Sequence, residues 1–174
     1  MYKEGSPAEC DFEICCRGDS KLIDNGTRLA GKWGDYNCDL PHQTLKSMFD
    51  FISDNQSTLK TDFITWTGDN SPHNTWENTQ EEVAMYVANI TATLKESLGT
   101  DSTIEIFPAL GNHDVWPINT EDLTTPNSNW DINQIKESWV GQNWLSEEEI
   151  EQFGKFGYYS KKLRQGGRVL ALNT

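Results

Sequence analysis

At residues 104–114 the chain reads IEIFPALGNHD, an apolar run that breaks at a glycine and then presents three polar side chains. The run at 104–110 has the length and composition of a buried β-strand. A glycine after such a strand permits a sharp turn and a close approach of two backbones. The asparagine, histidine and aspartate at 112–114 can bind metals, and they follow the strand end where α/β folds place their ligand sites. This stretch therefore predicts a functional loop on an α/β sheet.

A second strand and loop of the same kind lies at residues 62–73, which read DFITWTGDNSPH. The predicted strand covers 62–67 and Gly68 breaks it. Asp69 and His73 follow within the loop. Two strand-and-loop units in one chain suggest a site that is shared between them.

The segments around these strands are predicted to be helical. Asp39 is a candidate cap, with Pro41 in the first turn of a helix whose apolar side chains recur at helical spacing. Residues 79–98 form the longest periodic segment, and Gly99 ends it. The order of helix, strand, helix, strand predicts an α/β sheet whose neighbouring strands are parallel.

Beyond residue 114 the pattern predicts a long loop followed by shorter elements. Residues 115–130 are rich in Pro, Asn and Thr, and loops of this length are often functional. The later elements, in chain order, are a helix at 130–140, a short helix from the capping-box residue Ser146 to about Phe153, and paired strands at 157–160 and 169–172.

Charge and composition limit the classes of function. The 174 residues are 36% hydrophobic and 24% charged, with a formal net charge of −13. This length suffices for one domain with its own core. The negative charge makes nucleic acids and anionic membranes unexpected partners. We also predict no transmembrane segment, because no apolar stretch approaches the ~20 residues that span a bilayer.

Four cysteines lie close together near the start of the chain. They are Cys10, Cys15, Cys16 and Cys38. Such a cluster is typical of zinc sites or of disulfides. Two adjacent cysteines without a C-x-x-C pattern or a nearby histidine make poor zinc geometry. An even number of cysteines in a loop-rich stretch favours two disulfides and an oxidising compartment, and four reduced thiols are the alternative.

Three N-glycosylation sequons favour the same compartment. Their acceptor residues are Asn25, Asn55 and Asn89. Each triplet alone is weak, because such triplets also occur by chance. Together with the cysteines they predict a protein that is secreted to the extracellular space or resident in the lysosome.

The ordered set of motifs resembles one family. The G-D at 68–69 and the G-N-H-D at 111–114 resemble the blocks of the calcineurin-like metallophosphoesterases. Within that superfamily, WGDYNCDLP at 33–41 and WTGDNSPHNTW at 66–76 resemble the acid sphingomyelinase-like phosphodiesterases. The paired cysteines with the following arginine, and the final strand at 168–174, resemble the same group. A lone G-D is a weak signal, whereas this ordered set covers nearly the whole chain.

The resemblance implies a fold and a cofactor. The fold is α/β, a metallophosphoesterase fold with a β-sheet sandwich core flanked by helices. Cleavage of a phosphate ester brings an anionic nucleophile to an anionic ester, and two divalent metals ~3.5–4 Å apart offset that repulsion. The resemblance implies two such ions, expected to be Zn²⁺, with Asp69 as the bridging ligand and Asn112 as a further ligand.

The histidines receive their roles from the same resemblance. The resemblance implies that His113 faces the substrate phosphate without binding metal and donates a proton to the leaving alkoxide. Asp114 is expected to orient His113 and to favour its charged form. His73 is expected to contact the phosphate or the leaving group.

The resemblance also predicts how the chain is organised. It implies a region at 1–38 of loop stapled by the disulfides Cys10–Cys15 and Cys16–Cys38. The D-x-H motif that opens the family's site and the G-H and G-H-x-H motifs that complete it do not occur in residues 1–174. The expectation is therefore a single incomplete domain, lacking its first and last parts, as an interior fragment of a larger enzyme or a truncated gene product.

Several readings of function remain open. The first is metal-dependent hydrolysis of a small-molecule or lipid phosphodiester, with sphingomyelin and nucleotides both compatible. An endopolyphosphatase-like activity is an alternative within the same superfamily. A catalytically inactive fragment or binding module is the alternative from another class. The sequence carries no prediction of oligomeric state.

Overall fold

The computed structural model describes residues 2–11, 14–99, 103–120, 130–164 and 166–173, and it confirms the α/β class. The elements in chain order are α1 (His42–Asp54), α2 (Gln56–Leu59), β1 (Phe63–Trp66), α3 (Gln80–Leu98), β2 (Glu105–Pro108), α4 (Trp130–Trp139), α5 (Glu147–Phe156), β3 (Tyr159–Lys162) and β4 (Arg168–Ala171).

The two strands that carry the predicted loops lie side by side. β1 pairs with β2 in parallel, with Phe63 opposite Glu105 and Trp66 opposite Pro108. The parallel arrangement confirms the prediction from the element order. Because the strands run in one direction and in register, their carboxyl ends meet at one edge, and the loops at 67–73 and 109–114 leave from that edge together.

Helix α3 connects these strands, and its ends follow the sequence pattern. Thr79 caps the helix in a reciprocal capping box with Glu82, and Gly99 ends it. Val87 and Leu94 are fully buried on its inner face. The helix therefore packs one apolar face on the core while it carries the chain from β1 back to the start of β2.

The main core lies between the β1–β2 sheet and the later elements. α5 begins with a second capping box, Ser146 with Glu149, and extends to Phe156, three residues beyond the predicted end. β3 and β4 are antiparallel, as expected. The Tyr159 hydroxyl donates to the Pro108 carbonyl oxygen at 2.8 Å, which ties β3 to the end of β2. The largest fully buried side chains are Trp139, Tyr159, Phe153, Leu94, Ile132 and Ile135.

The expectation that Asp39 caps α1 was wrong. The residue before α1 is Pro41, which makes no side-chain cap bond, and the helix begins at His42. The Asp39 carboxylate is instead occupied by His73. The short helix α2 had no expectation from the pattern. Of the predicted long loop, positions 121–129 lie outside the described residues.

Disulfides, rather than helices and strands, hold the amino-terminal region together. Its described residues, 2–11 and 14–38, contain isolated β-bridges but no named helix or strand. Disulfides join Cys10 to Cys15 and Cys16 to Cys38, the pairing that the resemblance implies. A separate small core packs around them, formed by Ala8, Cys15, Cys16 and Ala30. Among the described helices, none is long and apolar enough to cross a membrane.

Candidate active site

The two glycine loops at the sheet edge are in direct contact. Gly68 has a φ of 79°, in the left-handed region that favours glycine. A Cβ atom at Gly68 would overlap the backbone nitrogen of Gly111, and one at Gly111 would overlap the backbone nitrogen and the carboxylate of Asp69. Both positions therefore need glycine because the loops approach more closely than any side chain allows.

A buried carboxylate joins the two loops. Asp114 is fully buried, and its Oδ2 accepts from the backbone N–H of Asp69 and of Gly111, each at 2.8 Å. Its Oδ1 accepts from the backbone N–H of Asn70 at 2.8 Å and from the Asn70 side-chain amide at 2.9 Å. Burial raises the pKa of the Asp114 carboxyl, and the four N–H donors oppose that rise. Both oxygens are thus engaged by the loops.

The expected contact between Asp114 and the His113 ring is not among these hydrogen bonds. The Nδ1 atom of His113 is buried and has no hydrogen-bond partner. Asp114 thus fixes the relative position of the two loops instead of the orientation of the His113 ring. Asn70 extends this network, because its Oδ1 accepts from the indole N–H of Trp66 at 2.8 Å.

Asp69 and Asn112, the predicted metal ligands, lie on the two touching loops. Asp69 has a φ of 59°, unusual for a residue other than glycine. Its Oδ1 accepts from the His113 backbone N–H at 3.2 Å, and its side chain is exposed at the loop surface. Asn112 is also exposed. The sheet edge therefore brings one carboxylate and one amide oxygen to the same surface.

These two residues fit a divalent metal as part of a ligand set. Carboxylate and amide oxygens are suitable ligands for hard and borderline cations. Among the described residues, no group of three or more His, Cys, Asp or Glu side chains is placed to hold a metal ion. Asp69 and Asn112 would thus account for two ligands, whereas a catalytic zinc site takes about three from protein.

The side chains of the two predicted catalytic histidines are in contact, at the sheet edge from which their loops leave. The rings of His73 and His113 are edge to face, with their centroids 4.9 Å apart. They come from different loops, 40 positions apart in the sequence (113 − 73). His42, the third histidine, lies on α1 and hydrogen-bonds through Nε2 to the Thr93 hydroxyl at 2.7 Å.

Asp39 is a site residue that sequence reasoning missed. Its Oδ1 lies 2.7 Å from His73 Nδ1, and its Oδ2 accepts from the His73 backbone N–H at 3.3 Å. Asp39 belongs to the WGDYNCDLP stretch at 33–41, which resembles the family. Its local pattern predicts a helix cap, so the contact with His73 is not visible from the sequence. A carboxylate at this distance favours a proton on Nδ1 of His73.

A groove of about 710 Å³ borders the site. It is bounded by α1, α3, β1 and the loop that carries Asp69 and His73, and we call it the α1–α3 groove. Its apolar lining includes Met48 and Ile90, and Asp39 also faces it. The candidate site is thus open on one side to a largely apolar space.

The acceptor residues of the three sequons differ in their exposure, and their glycosylation stays a prediction. Asn25 is exposed with a φ of 68°, and Asn89 is exposed on α3, where it lines the α1–α3 groove. Asn55 is half-buried, and its side-chain amide donates to the Phe51 carbonyl oxygen at 2.8 Å.

Comparison with known proteins gives a family match. The family model described as calcineurin-like phosphoesterase matches residues 34–171. This range contains both glycine loops and Asp39. It implies divalent metal ions for this site, without identifying the element.

Three relatives show how much of this chain, and how much of their own length, the similarity covers. Sphingomyelin phosphodiesterase B of Dictyostelium discoideum is 35% identical over 99% of this chain and 26% of its own length. The sphingomyelin phosphodiesterase of Homo sapiens is 30% identical over 99% of this chain and 27% of its own. Cyclic GMP-AMP phosphodiesterase SMPDL3A of Homo sapiens is 35% identical over 83% of this chain and 30% of its own. The chain thus spans about a quarter to a third of the length of these relatives.

Proposed function

The chain belongs to the calcineurin-like phosphoesterase family, and on that premise we propose that it serves the metal-dependent hydrolysis of a phosphodiester. The observation that carries the proposal is the pairing of His73 and His113 beside Asp69, at the edge where the two glycine loops meet. This arrangement places two proton-carrying rings next to a carboxylate that can hold a cation.

Asp69 and Asn112 are the residues that would hold the metal. When bound, two divalent ions, proposed to be Zn²⁺, would offset the repulsion between an anionic ester and its nucleophile. Asp69 would hold both ions as the proposed bridging ligand, because the two oxygens of one carboxylate can each bind an ion. The bonds from Asp114 to both loops keep these ligands in place when charges at the surface change.

His113 is proposed to protonate the leaving group. We assign the transferred proton to Nε2, because Nδ1 is buried and without a partner. Protonation matters most when the leaving group is an alkoxide, since an alkoxide is a strong base. The role of Asp114 in this step is indirect, since its carboxylate positions the loop that carries His113.

His73 is proposed to bind the phosphate. Asp39 occupies its Nδ1 side, which leaves Nε2 as the ring nitrogen for a phosphate oxygen. A phosphate oxygen accepts only from an N–H, so this contact needs a proton on Nε2 as well as the one that Nδ1 shares with Asp39. Its ring is 68% exposed, so an incoming ester can reach it.

The substrate is proposed to be a small-molecule or lipid phosphodiester. The relatives named as sphingomyelin phosphodiesterases and as cyclic GMP-AMP phosphodiesterases support both a lipid and a nucleotide substrate. The apolar lining of the α1–α3 groove favours a substrate with an apolar part. The two disulfides support an oxidising compartment, either extracellular or lysosomal.

The decisive experiment is hydrolysis by the purified protein with added Zn²⁺. The substrates are bis(4-nitrophenyl) phosphate, sphingomyelin in detergent micelles, cyclic GMP-AMP and polyphosphate. Loss of hydrolysis in Asp69→Asn, with activity kept in the control Asp50→Asn outside the groove, supports the proposal. Hydrolysis of polyphosphate alone favours the endopolyphosphatase alternative. Binding of inorganic phosphate without turnover of any ester favours a binding module and overturns the proposal.

A further inference from the structure

We propose that the disulfide Cys16–Cys38 and the residues that follow its two cysteines, Arg17 and Asp39, form a clamp that positions His73 for the substrate phosphate. We call these four residues the His73 clamp. The inference rests on the proposed function, because it assigns His73 to the phosphate. It adds positioning residues to that role and gives the stapled amino-terminal region a part in the site.

The first contact of the clamp is the one between Asp39 and His73. The carboxylate meets the histidine at two points, the ring Nδ1 at 2.7 Å and the backbone N–H at 3.3 Å. Two contacts to one residue fix the ring direction as well as its position. The Asp39 side chain is 24% exposed while the His73 side chain is 68% exposed, so the anchor is shielded and the ring it holds is not.

The second contact holds the other end of the same loop. The guanidinium of Arg17 pairs with the carboxylate of Glu77, and the same Glu77 oxygen accepts from the Asn74 side-chain amide at 3.0 Å. Asn74 is buried and directly follows His73. The Arg17 side chain is 17% exposed and the Glu77 side chain 45%, so the guanidinium is shielded while its partner remains open to solvent. The loop at 73–77 is therefore held at both ends.

One covalent bond unites the two contacts. Arg17 follows Cys16 and Asp39 follows Cys38, and these cysteines are bonded to each other. Cys16 is fully buried in the small amino-terminal core. The bond thus fixes the separation of the two anchors, which otherwise belong to segments 22 positions apart. The other disulfide, Cys10–Cys15, adjoins neither anchor and provides a matched control.

The first arm of the test follows the His73 ring by ¹⁵N-resolved NMR of the imidazole nitrogens, at a pH where the nitrogen shifts themselves show that the ring is neutral. With Asp39 as acceptor, His73 is expected as the tautomer protonated at Nδ1. Asp39→Asn should shift the ring toward the Nε2-protonated tautomer, because the new amide can donate to Nδ1. An unchanged tautomer in that variant overturns the clamp, whatever the activity of the protein.

The second arm measures kcat and KM on bis(4-nitrophenyl) phosphate with added Zn²⁺. Asp39→Asn and the Cys16→Ser/Cys38→Ser pair should each lower kcat/KM by roughly 10- to 100-fold, the range expected when a catalytic group is displaced by about 1 Å. Arg17→Lys should retain more activity than Arg17→Met. The Cys10→Ser/Cys15→Ser pair should leave the His73 tautomer and kcat/KM near the wild-type values.

The outcomes separate this inference from the proposed function. A wild-type protein that hydrolyses nothing defeats the proposed function, and the NMR arm still decides whether Asp39 sets the His73 ring. Equal losses in the two disulfide variants, with the tautomer unchanged, mean that the disulfides act on stability alone and overturn the clamp. If the Cys16→Ser/Cys38→Ser protein does not fold, the single changes at Asp39 and Arg17 decide.

Discussion

The carboxylate of Asp114 accepts a hydrogen bond from the backbone N–H of Asp69 at 2.8 Å, across 45 positions of sequence. The bond joins a residue proposed to anchor the loops with one proposed to bind metal. Asp114 is fully buried and accepts three further N–H bonds from the same two loops. The geometry of the candidate site therefore depends on a residue that does not itself face the substrate.

The first prediction concerns the stability contributed by Asp114. Asp114→Asn replaces one acceptor oxygen with an amide donor that faces backbone N–H groups, so at least one buried N–H loses its partner. We expect the free energy of unfolding to fall by about 2–4 kcal/mol, from lost charge-assisted hydrogen bonds and an unsatisfied buried donor. Urea denaturation followed by circular dichroism measures the loss.

Asp50→Asn is the matched control for that change. Asp50 is a partly exposed carboxylate that pairs with Lys46 on the surface of α1 at 2.8 Å and accepts from Ser97. Exposed pairs of this kind contribute about 0.2–1 kcal/mol. A loss in Asp114→Asn no larger than that in Asp50→Asn would contradict the anchoring role.

The second prediction concerns the contact between the glycine loops. Gly68→Ala should destabilise the protein more than Gly141→Ala, although both glycines have a similar positive φ of 79° and 75°. A Cβ at Gly68 would overlap the backbone of Gly111, whereas a Cβ at Gly141 meets nothing within 4 Å. Left-handed backbone alone costs a non-glycine residue about 1–2 kcal/mol. Equal midpoints of thermal unfolding for the two variants would contradict the prediction, because the Gly68 and Gly111 loops would then make room for the added Cβ at no cost.

The elements that sequence predicted well are those whose signals are local. The capping box at Ser146 and the stop at Gly99 mark helix ends with residues close in sequence. The parallel pairing of β1 and β2 followed from the order of elements, because a helix between strands favours a crossover. The positions of Asp69 and His113 at one edge follow from the same logic.

The parts that sequence did not predict depend on long-range contacts. Asp39 has the local pattern of a helix cap, but its carboxylate is occupied by His73, 34 positions later. Asp114 next to His113 suggested a contact between neighbours, yet its carboxylate turns inward to Asn70 and Gly111. A carboxylate accepts several hydrogen bonds, and local sequence does not reveal which distant N–H groups the fold brings to it.

The third prediction concerns the disulfides. On the loop-entropy model, the Cys16–Cys38 bond, with a separation of 22, should contribute about 3 kcal/mol to the free energy of unfolding, and the Cys10–Cys15 bond, with a separation of 5, about 2 kcal/mol. Urea denaturation of the two paired Cys→Ser variants measures both contributions. Peptide mapping under non-reducing conditions checks the pairing itself, and four free thiols in secreted protein would contradict both the bonds and the oxidising compartment.

The fourth prediction separates metal binding from proton donation. In the full-length protein, Asp69→Asn removes the negative charge proposed to hold two cations, so metal content and hydrolysis should fall together. His113→Ala should keep the metal, because the proposed task of this ring is to protonate the leaving group. The metal content of both variants is measured by inductively coupled plasma mass spectrometry, with His42→Gln as the control histidine.

The same His113→Ala variant should discriminate between leaving groups. General acids typically contribute ~10²–10⁴-fold, so hydrolysis of an ester with an alkoxide leaving group should slow by about that factor. A nitrophenolate is already a stable anion and needs little protonation, so its release should slow far less. Equal losses on both esters with metal retained would assign His113 to phosphate binding beside His73. Loss of metal in His113→Ala would assign its ring to the metal and remove the proton donor from the mechanism.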